Sequence, residues 1–137
     1  MKVVLDSYII IDVLRPNPDY ETDANKVFIL IWQNKITPYI CASSLTDIFY
    51  ILRKVQGAEK AKETIANLIT AANIIPLAES DCTNALALPM SDFEDAIIVE
   101  SASKISADFI VSRDEKLIKT KTEIKVITPK QLIELIN

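Results

Sequence analysis

A chain of 137 residues, half of them hydrophobic and a quarter charged, can bury a core without disulfide or metal staples, so one domain over residues 1–137 is expected. A net charge of −4 excludes a protein that coats nucleic acid by bulk electrostatics, and the lack of any histidine removes Ser-His-Asp and Cys-His catalysis and the usual zinc ligand sets. A single glycine excludes the loops of P-loop and dinucleotide-binding folds, where several glycines let backbone approach pyrophosphate.

In chain order, Lys2–Leu5 reads as a buried strand. Apolar residues at helical spacing predict a helix over Thr22–Lys35, and Pro38–Cys41 returns to an extended run. Leu45, Ile48, Phe49 and Leu52 predict a helix over Ser44–Lys54, which Gly57 separates from a second over Ala58–Ala72. Asn73–Pro76 is a short strand, Ser80–Leu88 a short helix, Asp92–Ile105 a helix opened by Ser91, and Asp108–Val111 a strand. Lys125–Ile127 gives a further strand, and Thr128-Pro129 starts a closing helix to Ile136. About five short strands alternating with helices imply an α/β fold, a parallel sheet covered on both faces. Cys41 and Cys82 lie in apolar surroundings without a CxxC pairing, which suits a reducing, cytoplasmic setting. Met1–Leu5 is too short for a signal-peptide core and no apolar run approaches the roughly 18 residues of a membrane span, so a soluble protein is expected.

An enzyme without histidine must work with carboxylates, and hard oxygen ligands select Mg²⁺ or Mn²⁺. Asp6 follows the first strand at its carboxyl end, where open α/β sheets place their ligands. Asp47 and Asp95 stand near helix starts, and Asp114 just after the Asp108–Val111 strand. In a right-handed parallel topology those strand ends share one edge, so acids from opposite ends of the sequence can converge there, with a cation to offset their repulsion. The structural alternative is helix capping: Ser44-x-x-Asp47, Ser91-x-x-Glu94 and Ser112-x-x-Glu115 resemble capping boxes, and Asp92 neighbours Asp95 at i, i+3. Asp6 fits that alternative poorly, since it ends a buried apolar strand.

Taken together, these segments resemble the PIN-domain family. Val3–Leu14, with Leu5-Asp6-Ser7-Tyr8 near its start, looks like the opening of PIN domains, where a strand ends in Leu-Asp-Thr-Asn and runs into a helix. Ser43–Arg53 looks like the second acidic helix, Asp92–Ile97 the third acidic motif, and Ala107–Asp114 the segment that ends in Thr-Arg-Asp or Thr-Arg-Asn. The resemblance implies a three-layer α/β/α fold, an acidic pocket for Mg²⁺ or Mn²⁺, and hydrolysis of RNA, often as the toxin of a toxin–antitoxin pair. Asp6, Asp47, Asp95 and Asp114 match the acidic positions, with Asp6 and Asp95 as direct metal ligands, Asp114 supplying a further charge, and Asp92, Ser7 and Ser112 as auxiliaries.

Tyr8 replaces an amide expected to brace the carboxylates, and Asp47 stands where glutamate is commoner. These departures leave a second reading open, a PIN-like module that binds RNA or protein through a weakened pocket. A receiver-type phosphoacceptor would carry adjacent acids after its first strand and a lysine after its last, which this chain lacks. With an RNA substrate, attraction must be local, through Arg15, Arg53, Arg113 and Lys116, each of which taken alone also reads as an ordinary solvated face. An antitoxin protein is a further expected partner, and the apolar Val27–Trp32 beside Phe49-Tyr50 can serve either as core or as a homodimer face.

Overall fold

The computed structural model describes residues 1–137. Its sheet comprises β1 (Lys2–Leu5), β2 (Thr37–Cys41), β3 (Asn73–Ile75), β4 (Phe109–Val111) and β5 (Val126–Ile127), all parallel, in the order β3-β2-β1-β4-β5. The connections carry α1 (Ser7–Leu14), α2 (Glu21–Trp32), α3 (Ala42–Gln56), α4 (Ala58–Ala71), α5 (Glu79–Leu86), α6 (Phe93–Lys104) and the short α7 (Glu115–Lys119), and α8 (Pro129–Ile136) follows β5. No helix is long and apolar enough to cross a membrane.

Side-chain alternation along β1 sorts the core into two layers. Val3 and Leu5 pack with Ile9 and Ile10 of α1, Leu30 of α2, Ile48 of α3 and Leu132 of α8. Val4 packs on the opposite face with Ile98, Val99 and Ala102 of α6 and Leu117 of α7. The result is the expected three-layer α/β/α sandwich around a parallel sheet. The strand order reverses between β1 and β4, and that crevice is where such sheets bind ligands. Leu5 pairs with Val111 in register, and the Asp6 N–H donates to the Val111 carbonyl at 3.0 Å. The first residues past β1 and β4 therefore lie side by side.

Several helix ends differ from the sequence expectation, each for a local reason. The predicted Thr22–Lys35 helix stops at Trp32, because Asn34 takes a left-handed φ of 58° and the Lys35 N–H reaches back to the Leu30 carbonyl at 2.9 Å. Ser106, at φ 53°, ends α6 in the same way. Gly57 alone supplies a glycine for such a turn, at φ 85° between α3 and α4. Helix α1 has no counterpart in the periodicity reading, since Ile9, Ile10, Ile11 and Val13 favour a strand by composition; only the family resemblance points to it. The short α7 likewise has no counterpart among the predicted elements.

The serine capping boxes are corrected too. Ser44 lies inside α3, buried, while α6 is capped by Asp92 and α7 by Asp114 rather than by Ser91 and Ser112. A reciprocal box does form between Thr128 and Gln131 at the start of α8, where Thr128-Pro129 predicts a helix start.

Candidate active site

Asp6 leaves β1 and immediately caps α1, its Oδ1 accepting from the Ser7 N–H at 2.8 Å. Its Oδ2 accepts from the Ser112 hydroxyl at 2.8 Å, and the same Ser112 oxygen accepts from the Asp114 N–H at 3.0 Å. One buried serine thus joins the carboxyl end of β1 to the loop after β4. Asp114 turns its own Oδ1 to the Lys116 N–H at 3.0 Å, and Asp92 accepts from the Asp95 N–H at 3.1 Å. Three of the acids therefore serve as helix caps, Asp92 and Asp114 and also Asp6, which by sequence fits the capping alternative poorly, yet all three face a common space.

That space is a cleft of about 560 Å³ at the reversal of strand order, lined by Asp6, Ser7, Asp47, Asp92, Glu94, Asp95 and Asp114 among others. The predicted acids are thus brought together, while Ser112 is fully buried against Asp6. Glu94, which the sequence presents as a capping residue, lines the cleft as well. Only its neighbours Asp92 and Asp95 hint at that role in the sequence.

The crowding shifts the acids. Burial raises the Asp6 carboxyl above its ordinary value; the bonds from Ser112 and Ser7 lower it, and the charge of Asp114 raises it again. Burial, then the charges of Asp92, Asp114 and Asp6, push Asp95 up to about 6, with Lys116 pulling the other way. Burial raises Asp47, and Glu94 is raised first by the charge of Asp47, then by burial and by Asp92 and Asp6.

The basic residues lie outside this lining. Lys116 is exposed and near enough to Asp95 to lower it. Arg53 is exposed with its guanidinium 5.9 Å from the Tyr50 ring centre, and exposed Arg15 borders a neighbouring cavity that shares Tyr8, Ile11 and Ile51 with the cleft. Arg113 is committed within the protein: its Nε donates to Asp12 Oδ2 at 2.8 Å and an Nη to Oδ1 at 3.3 Å. The Tyr8 and Tyr20 ring centres lie 4.8 and 4.0 Å from the same guanidinium. Sequence reasoning misses Asp12, buried at 2% exposure, because nothing in the chain order ties it to an arginine a hundred residues away.

All-oxygen donors fit a hard divalent cation, whereas the buried Cys41 thiol, pushed up to about 11, does not suit a soft one. No three of the acids are drawn close enough to enclose an ion by themselves. A small cation such as Mg²⁺ is held by one or two carboxylates and keeps several waters, so the donor set still fits.

No curated protein sequence matches the chain. In fold it is similar to VapBC2 from Rickettsia felis bound to a DNA fragment from their promoter, at TM-score 0.67 and 16% identity over 93% of this chain and 98% of that one. It is similar to VapBC-1 from nontypeable Haemophilus influenzae, at TM-score 0.68 and 17% identity over 95% and 99%. It is also similar to Mycobacterium tuberculosis VapC20, a sarcin–ricin loop cleaving toxin, at TM-score 0.63 and 13% identity over 79% and 86%. Residues 2–116 match the family model described as PIN domain, the span that carries every acid of the cleft, and the chain belongs to the PIN-domain family.

Proposed function

We propose that this chain is a Mg²⁺- or Mn²⁺-dependent ribonuclease that hydrolyses RNA phosphodiester bonds in the acidic cleft, acting in the cytoplasm as the toxin of a toxin–antitoxin pair. The observation that carries the reading is the gathering of Asp6, Asp47, Asp95 and Asp114 around one cleft at the reversal of strand order. Asp6, Asp95 and Asp114 would hold the cation, which when bound supplies Lewis acidity toward a phosphodiester and water. Ser112 fixes the orientation of the Asp6 carboxylate through its 2.8 Å bond, and Ser7 does so through its N–H. Asp47 and Glu94, on α3 and α6, line the cleft wall with proton affinities raised above an ordinary carboxylate's, which supports a part for them in proton transfer.

The likeness to toxin–antitoxin structures supports an antitoxin partner, and the exposed Ile29 and Trp32 on α2 support pairing of two copies. A second reading, a PIN-like binding module with a weakened pocket, is favoured by Tyr8, which lines the cleft where an amide is expected to brace the carboxylates. Incubating the purified chain with a mixed RNA pool separates the two. The nuclease reading expects cleavage that requires Mg²⁺ or Mn²⁺ and stops with EDTA; RNA binding without cleavage under any metal would replace it with the binding module.

A further inference from the structure

The cleft is acidic and the whole chain carries a net charge of −4, so a polyanion gains little there from bulk attraction. Yet its lining includes three large rings left open to solvent: Tyr8 at 47%, Tyr50 at 58% and Phe93 at 47% exposure. Two of them are backed by cations, Arg113 at 4.8 Å from the Tyr8 ring centre and Arg53 at 5.9 Å from that of Tyr50. Tyr8 and Tyr50 come from α1 and α3, which pack together, whereas Phe93 opens α6 in the layer on the other face of the sheet. Rings from both layers around a carboxylate cleft match the base faces that an unpaired strand offers for stacking, and the exposed Arg53 beside Tyr50, unlike Arg113 bound to Asp12, is free to meet a phosphate.

Resting on the nuclease reading for its RNA, we infer that Tyr8, Tyr50 and Phe93 form a stacking site for unpaired bases flanking the scissile phosphate. Base stacking rather than phosphate contact then supplies most of the affinity, and a duplex, whose bases are stacked on each other, is a poor ligand.

The test is fluorescence anisotropy with a labelled unpaired RNA of about ten nucleotides, the same length of RNA duplex, and an abasic strand of that length, in EDTA to prevent turnover. The inference expects the unpaired strand to bind at least about tenfold more tightly than the other two, and Tyr50→Leu or Phe93→Leu to lose about fivefold or more. Tyr50→Phe should retain binding, which separates loss of a ring from loss of fold. Equal binding of the abasic strand, or leucine variants that bind like the wild type, overturns the stacking site. The same strands with Mn²⁺ report the nuclease reading separately: stacking without cleavage sinks that reading alone, and cleavage with unchanged KM in the leucine variants sinks the stacking site alone.

Discussion

Asp95 shows what gathering acids around one cleft does to a single residue. Its carboxyl is pushed up to about 6 from an ordinary 3.8, so the folded chain binds its proton more tightly than the unfolded chain does. The stability linked to that proton is fully present below the unfolded value and is lost as pH rises through about 6. Without metal, unfolding midpoints should therefore fall between about pH 4 and about pH 6.5, and Asp95→Asn should flatten that fall and stabilise the chain near neutral pH by up to about 1 kcal/mol, discounted for partial exposure. Thermal unfolding across pH in EDTA measures this, and a variant with the wild-type slope would remove the repulsion argument. Ser112 belongs to the same scale: Ser112→Ala strips the partner from Asp6 Oδ2 and should cost about 1 to 2 kcal/mol in urea unfolding.

Among the elements, the Asp12–Arg113 pair joins α1 to the loop between β4 and α7, and so sets Asp114 relative to Asp6. Its two ends are not equivalent. Arg113→Met leaves a carboxylate at 2% exposure without a partner, whereas Asp12→Asn leaves a guanidinium that still reaches solvent. The arginine substitution should therefore destabilise more, by about 3 kcal/mol against roughly 2, and equal losses in chemical denaturation would argue against a buried ion pair. Most strands and long helices are legible in the sequence because their apolar residues follow a clear period, as Leu45, Ile48, Phe49 and Leu52 do in α3. Helix α1 is not, because a buried β-branched run has no face to alternate, and the ends of α2 and α6 are not, because asparagine and serine take turns usually left to glycine.

In the molecule as a whole, the parallel topology is what turns scattered acids into a site, and that step can be reasoned from strand ends alone. What the sequence does not supply is direction: Glu94 lines the cleft rather than capping a helix, and Arg113 is bound to Asp12 rather than left free at the surface. Whether these carboxylates perform the chemistry is decided by single-turnover cleavage of one defined RNA in Mn²⁺, comparing the wild type with Asp6→Asn, Asp95→Asn and Glu94→Gln. Losses of roughly a hundredfold or more are expected for the first two variants, the scale of removing one electrostatic contact to a transition state, with a smaller loss for the third. Asp6→Asn and Asp95→Asn proteins that fold and cleave at the wild-type rate would place the chemistry outside this cleft.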